Sequence, residues 1–575
     1  MSNHIIDNAR WQSLPIGICD FEHVVKHYVY VDKSTAIGTL IAHGGATLLC
    51  RPRLFGKTLF VSMLQCYFEK SVESYVSERR HLFASLQVAS LGDRFTKHCG
   101  AHPVIRLSLS AIPQDCWENA LPALKSCIAH EYERHRYVLG SGNMSSISEE
   151  RYRRIMSCDA DLSELSDSLS QLSKILRDYH CERTVILIDD IDMACPRSAS
   201  DDAKQIRSFM HSWLASALRD MSSVELALMT CTQPPQRGIL APLPPHVTLD
   251  TPLDTRLGIT LGFSMAEAEA LASHIDKHNR FEEAQHWYKG YAVGTSRTFC
   301  PWSYLNFLHE GIAQPYWTCT DKNSLVRNTV LQADEPMESD LRLLAEGESV
   351  VHALDPFGHQ HGTTQNHEDV WTQLYLGGYV TTNDVHMPNE TSQKRRLYIP
   401  NLEIARLFQR ELLFRAAWTA GSDNRLQAIQ NALTQPDDLA LERELCDALR
   451  YSPSFSDADG RAGYRLRMLF MLYGIKGYQL PEIVAPTNQC KAGILVRPDD
   501  SHADSLPALA IEIRAPHHCE DCALSLQELR KHAKTAALAE AVGRHLERTT
   551  QCRGVIAWGI SILGFRAACA CQRVP

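Results

Sequence analysis

The stretch Arg51-Pro52-Arg53-Leu54-Phe55-Gly56-Lys57-Thr58 carries the residue types that hold phosphate. In a P-loop, backbone N–H groups wrap the phosphates, a lysine meets the outer ones, and the hydroxyl of the next residue holds magnesium. Gly56, Lys57 and Thr58 fill those positions, so the expected ligands are ATP and Mg2+, with Thr58 on the metal. Arg51 stands where the strict pattern has its first glycine, so the motif alone is weak. Arg51 and Arg53 lie inside the loop, and either could pair bidentately with a phosphoryl group. The acidic half of such a site is offered by Ile186-Leu187-Ile188-Asp189-Asp190. Asp189 is expected as the second magnesium ligand, and Asp190 as the residue that orients attacking water. An aspartate is one methylene shorter than the glutamate usual there, and a misplacement of about 1 Å slows hydrolysis. Thr230, ending a later apolar run, is expected to sense the γ-phosphate.

Those groups can act together only if strand ends and a helix start carry them. Ala46 to Cys50 reads as a buried strand entering the loop, and Leu59 to Leu64 has helical periodicity after it. The helix N-terminus then adds its partial positive charge to the same phosphates. Val104–Leu109, Thr184–Ile188 and Val224–Met229 are near-continuously apolar, as parallel strands covered on both faces are. Residues 1–260 are therefore expected to form an α/β P-loop NTPase domain with a parallel sheet. The proline-rich patch from Pro234 to Pro245 breaks regular structure, and Ser264 with Glu267 has capping-box spacing at the start of a helix-rich middle region, 261–430. From Tyr464 onward, short apolar strands alternate with helices such as Leu524 to Leu546, which predicts a third, α/β domain over 431–575.

Length and composition set outer limits. A chain of 575 residues exceeds what one hydrophobic core supports, so several domains are expected. With 44% hydrophobic and 22% charged residues the chain is neither fibrous nor disordered, and a net charge of -9 argues against a nonspecific nucleic-acid coat. No apolar run is long enough to cross a membrane; Gly554 to Phe565 is bounded by Arg553 and Arg566. The cysteines lack disulfide-scaffold spacing and the first residues lack a signal-peptide pattern, which points to a reducing, cytoplasmic setting. His517, His518, Cys519 and Cys522 have part of a zinc spacing without a second ligand pair, and read as loop residues. The basic runs Arg79-Arg80, Arg151 to Arg154 and Lys394 to Arg396 read as solvated faces.

Leu14-Pro15-Ile16-Gly17 with Asp20-Phe21, Tyr30-Val31-Asp32-Lys33-Ser34, the variant loop at Arg51 to Thr58, and Ile188-Asp189-Asp190-Ile191-Asp192 form a recognisable series. Leu261-Gly262-Phe263-Ser264, Trp287-Tyr288-Lys289-Gly290-Tyr291, Pro301-Trp302-Ser303 and Pro315-Tyr316-Trp317 extend it. Together they resemble the AAA-ATPase-like proteins that carry a C-terminal PD-(D/E)XK nuclease-type domain. In that family an arginine normally stands at the position of Arg51. The aromatic clusters are read as packing residues.

The resemblance implies a second site, in which an aspartate and a Glu-x-Lys pair on neighbouring strands bind magnesium and activate water. Glu512 matches the acid, Arg514 stands in place of the lysine, and Gly493 stands where the aspartate would be. An arginine cannot act as a deprotonated base, so the expectation is a nuclease fold without nuclease chemistry. Asp499, Asp500 and Asp504 lie in a polar loop and read as solvated. The expected function is a nucleotide-controlled switch whose tail binds nucleic acid or a protein. An active ATP-regulated nuclease and a non-catalytic scaffold are the competing expectations, and a homo-oligomer stays open.

Overall fold

The computed structural model describes residues 5–7, 13–70, 76–196, 200–234, 247–254, 256–317, 324–345, 347–355, 367–384, 393–419, 422–450, 468, 471–472, 475–479, 481–483, 493–499, 502, 505–514, 525–546, 554–563 and 566–574. The chain divides into two compact units, Met1–Gln409 and Arg410–Pro575. Among the described residues no helix is long and apolar enough to cross a membrane. His517, His518, Cys519, Cys522, Asp500 and Asp504 lie outside the described residues.

In the first unit, β1 (Ile5–Asp7) pairs antiparallel with β2 (Val29–Val31) ahead of the main sheet. That sheet contains β3 (Gly45–Cys50), β4 (Val104–Ser108), β5 (Thr184–Asp189), β6 (Val224–Cys231) and β7 (Val247–Asp250), in the order β4-β5-β6-β3-β7. Every pairing in it is parallel. Parallel strands need crossovers, and helices supply them: Lys57–Phe68 follows β3, Trp117–Arg134 and Ser168–His180 lie between β4 and β5, and Asp201–Leu218 joins β5 to β6. β5 is buried at all six positions, which is why its sequence is apolar without alternation until Asp189.

Two departures from the sequence expectation matter for the site. β6 runs on to Cys231, so Thr230 is an interior strand residue with no exposed surface. β7 had no apolar run to announce it, because Val247-Thr248-Leu249-Asp250 is a short edge strand with polar alternation.

The middle of this unit, expected as helix-rich, also holds an antiparallel hairpin of β8 (Lys289–Val293) and β9 (Ser296–Phe299). A three-stranded antiparallel sheet follows, with β12 (Gln393–Tyr398) between β10 (Val350–Leu354) and β11 (Thr381–Thr382). The helix Met265–His274 begins with the expected capping box: Ser264 and Glu267 satisfy each other's backbone N–H groups. Glu267 also accepts two 2.7 Å hydrogen bonds from Lys33, a pair largely withdrawn from solvent that ties the segment after β2 to this helix.

The second unit is a five-stranded sheet of β13 (Glu482–Ile483), β14 (Ile494–Val496), β15 (Ala508–Arg514), β16 (Val555–Leu563) and β17 (Arg566–Val574), neighbours in that order. β15 and β16 are parallel and the other pairs antiparallel, so the helix Leu526–Leu546 makes the single crossover. That helix sits directly on β16: a Cβ added at Gly559 would lie 2.0 Å from the Ala533 carbonyl oxygen and 2.4 Å from the Ala537 nitrogen. Both clashing atoms are backbone, so Gly559→Ala must push helix and sheet apart. The expected cost is at least the ~1–3 kcal/mol of an overpacked core, seen calorimetrically as a lower unfolding midpoint. An unchanged midpoint would show that the helix can move without penalty.

Candidate nucleotide site

The loop between β3 and its helix turns through two residues with positive φ, Leu54 at 62° and Gly56 at 91°. Gly56 tolerates this geometry because it lacks a Cβ, and a Cβ built there would meet nothing within 4 Å, so the inner side of the turn is open. Successive N–H groups in such a turn form a concavity suited to anions. Lys57 begins the helix and is buried, with 6% of its surface exposed. Its Nζ donates at 3.1 Å to three oxygens: the carbonyls of Arg51 and Pro52 and the hydroxyl of Thr232. The ammonium thus spans the loop and the end of β6, with acceptors that phosphate oxygens can replace. Thr58, next on the helix, is partly exposed.

The sheet order explains the company Lys57 keeps. β6 lies between β3 and β5, so residues at the end of β6 stand between the lysine and the acidic end of β5. Thr230 donates a short hydrogen bond to Asp189 Oδ1 and accepts one from the Asp190 N–H at 3.1 Å. Asp189 is 1% exposed, and its Oδ2 has no hydrogen-bond partner among the described residues. A buried carboxylate oxygen left this way is costly unless something positive meets it, which is what a magnesium ligand requires. The orphaned, buried Asp189 oxygen is the kind of donor Mg2+ takes, and Thr58 follows the lysine on the helix. Asp190 adopts a left-handed conformation, φ 53° and ψ 50°, at the start of the short turn Ile191–Ala194.

Two of the residues expected at the phosphates commit their polar groups to other partners in the structure. Thr230, expected to sense the γ-phosphate, is inside the sheet and its hydroxyl is committed to the Asp189-Asp190 corner. The hydroxyl that reaches Lys57 is that of Thr232, one residue beyond the end of β6. Arg51, expected to pair with a phosphoryl group, is fully buried and commits its guanidinium to β7. Nη2 donates to Asp250 Oδ1 at 2.8 Å, and Nη1 donates to the carbonyls of Cys50 at 2.9 Å and Asp250 at 3.2 Å. Arg51 thus anchors the loop to the sheet edge. Arg53 is partly exposed in the loop.

The sequence reading also missed Asp192. Its Oδ2 accepts the N–H groups of Thr232 at 3.0 Å and Gln233 at 3.1 Å, so the turn after β5 fixes the segment after β6 and with it the threonine that holds Lys57. Its position two residues beyond Asp190 was a signal that could have been used. Burial pushes the Cys19 thiol pKa up, and Asp189 adds to the shift.

The tip of the loop is covered by the middle of the same unit. The ring of Phe55, 1% exposed, meets Tyr291 of β8 edge-on at 5.0 Å, and Trp317 stacks on Tyr379 at 5.2 Å. A Cβ added at Gly378 would come within 2.9 Å of Pro52 Cβ, so the turn before β11 touches the loop. Gln233 Nε2 donates to the Gln373 carbonyl at 3.4 Å. The aromatic residues expected to be packing do pack, and part of what they pack against is the phosphate loop.

In the second unit, Glu512 is buried in β15 and its Oε1 accepts from Arg514 Nε at 3.0 Å. Ile494 of β14 pairs with Ile511, so the antiparallel register continued by one step sets Gly493 opposite Glu512. Asp499, in the following loop, accepts from the His502 ring at 2.7 Å.

Comparison with known proteins bears on the first unit. Residues 15–235 match the family described as predicted AAA-ATPase, AAA-ATPase-like. The uncharacterized protein in the vnfD 5′ region of Azotobacter chroococcum mcd 1 is 24% identical over 418 residues, 70% of this chain and 70% of its own length. Among solved structures, a Walker-type ATPase of Pyrococcus abyssi aligns with a TM-score of 0.34 at 11% identity, over 66% of this chain and 94% of its own. The family match covers the phosphate loop and the acidic strand end and supports an AAA-ATPase-like, ATP-binding P-loop domain over residues 15–235.

Proposed function

We propose that ATP, held by Lys57, Thr58, Asp189 and the loop Arg51–Gly56, acts in a cytoplasmic setting as a switch on the rest of the chain. In this reading 1–260 is the nucleotide domain, 261–430 the region that responds, and 431–575 a nuclease-derived tail that binds nucleic acid or a protein without cleaving it. The observation that carries the reading is the contact between the loop tip and the middle region, at Phe55 with Tyr291 and Pro52 with Gly378. Magnesium, which Thr58 and Asp189 would hold, would supply positive charge to the phosphates. The chain's own groups do the rest: Lys57 exchanges its three internal acceptors for phosphate oxygens, Thr232 is released from the ammonium and stands free to meet the γ-phosphate, and Asp190 orients water. Loop rearrangement on binding and on hydrolysis is then felt at Gly378 and Tyr291.

Hydrogen exchange tests the switch. Backbone amides from Gln373 to Val380 should exchange at different rates with ATP and with ADP, each with magnesium. Equal rates with both nucleotides bound would remove the switch and leave a static binding site.

For the tail, Arg514 beside Glu512 and Gly493 opposite it support loss of nuclease chemistry, since one carboxylate paired with a fixed cation lacks the second metal ligand and the base. No magnesium-dependent cleavage of DNA or RNA is expected. Cleavage by wild type that Glu512→Ala abolishes would establish the competing reading, an ATP-regulated nuclease.

A further inference from the structure

One carboxylate ties together the segments that follow β5 and β6. Past β5 the chain reverses at Asp190, whose backbone is left-handed, and enters the turn Ile191–Ala194, anchored by the buried Ile191 and Ala194. Gln114 holds the same turn from the other side, its Nε2 donating to the Met193 carbonyl at 2.7 Å. Asp192 is thus presented from a fixed support. Its Oδ2 accepts two consecutive backbone N–H groups, those of Thr232 at 3.0 Å and Gln233 at 3.1 Å. Successive N–H groups aimed at one point form a nest for an anion, and hydrogen bonds to a carboxylate are about twice as strong as neutral ones. The Thr232 carbonyl in turn accepts from the Cys50 thiol at 2.9 Å. With both backbone groups of Thr232 committed, its hydroxyl is held facing the Lys57 ammonium at 3.1 Å. A P-loop lysine meets the β- and γ-phosphates, so this hydroxyl stands where the third phosphate arrives.

We infer that Asp192 is a positioning residue for the γ-phosphate: acting through Thr232, it makes the site favour a nucleoside triphosphate over the diphosphate. This rests on the nucleotide-binding reading above. Asp192 fixes the backbone of the residue whose hydroxyl meets the phosphate. When Lys57 turns from Thr232 to phosphate, the hydroxyl is already in place, and only a triphosphate supplies an oxygen for it. A hydrogen bond to a charged group is worth roughly tenfold to a hundredfold in affinity. The preference for the triphosphate therefore depends on a carboxylate 40 positions away from the threonine it holds.

The test is calorimetric: the dissociation constants of the full chain for MgADP and for a slowly hydrolysed MgATP analogue, compared as a ratio. The ratio isolates the γ-phosphate, because loss of an internal acceptor of Lys57 shifts both affinities alike. Asp192→Ala should lower the preference for the analogue by roughly tenfold to a hundredfold. Thr232→Val should lower it as much, and the double variant no further, since the two residues act as one unit. Asp192→Asn should retain most of the preference, because it keeps one oxygen for both N–H groups and exchanges only Oδ1, which has no hydrogen-bond partner among the described residues. In the nucleotide-free chain, the amides of Thr232 and Gln233 should exchange faster in Asp192→Ala than in wild type or Asp192→Asn. An unchanged ratio in Asp192→Ala overturns the inference and leaves the nucleotide reading standing. A double variant whose loss is the sum of the single losses also overturns it, since Asp192 then acts apart from Thr232. If Asp192→Ala does not fold, Thr232→Val decides alone, and an unchanged ratio there overturns the inference. No nucleotide binding by wild type overturns both readings.

Discussion

Lys57→Ala loses ATP binding. The Lys57 ammonium is buried and hydrogen-bonded to three oxygens, so the variant removes the group that must meet the outer phosphates. Truncating one partner of a desolvated charge pair costs about 2–5 kcal/mol. In Kd that is roughly 30-fold to several thousandfold, read by calorimetry. The same variant should fold as wild type does, because two of the lost partners are loop carbonyls and the third, the Thr232 hydroxyl, can turn to solvent. A variant that binds MgATP as tightly as wild type would mean that Arg51–Thr58 is no phosphate loop in this chain. Thr58→Ala separates the metal from the phosphate: it should weaken binding of ATP with magnesium while leaving the affinity without magnesium nearly unaltered.

Asp250→Ala should be among the most destabilising single changes in the first unit. It leaves the Arg51 guanidinium fully buried with carbonyl acceptors and no counter-charge. Breaking a buried ion pair from one side costs about 3–5 kcal/mol. For a unit of this size that is a fall in Tm of roughly 4–6 °C, measurable by calorimetry. The double variant Arg51→Met, Asp250→Leu should recover most of the loss, because apolar groups of similar volume replace a buried pair at little cost. A double variant as unstable as the single one would show that the pair holds the loop by geometry that methionine and leucine do not reproduce. Weakened ATP binding in a stably folded double variant would show that the anchor also shapes the phosphate loop.

How far the sequence could go is visible in particular residues. The strand before Arg51, the helix after Gly56 and the acid at the end of Thr184–Asp189 were legible, because buried parallel strands are apolar throughout and each ends at a polar group. The partner of Arg51 was not. Asp250 lies 199 positions away on a four-residue strand whose composition does not mark it, and only the sheet order β6-β3-β7 brings the two together. The exchange of Thr230 for Thr232 has a similar origin. Apolar periodicity shows that a strand exists but fixes its end to within a few residues, and the hydroxyl that meets the lysine lies just past that end. Asp192 stood in the run Ile188–Asp192, but its role was not legible, because it acts on the backbone N–H groups of Thr232 and Gln233, which lie 40 and 41 positions away.

The contact between Gly378 and Pro52 has a thermodynamic consequence. Side chain and turn already touch, with no room for even one methyl group, so the loop cannot shift toward that turn without moving it. Coupling of this kind is reciprocal. Any partner that displaces the turn on binding the middle region changes the affinity for nucleotide by some factor, and nucleotide must change the affinity for that partner by the same factor. A screen for partners can therefore be run backwards: a molecule that shifts the ATP dissociation constant without occupying the phosphate loop reports its own binding, and the size of the shift gives the coupling energy directly.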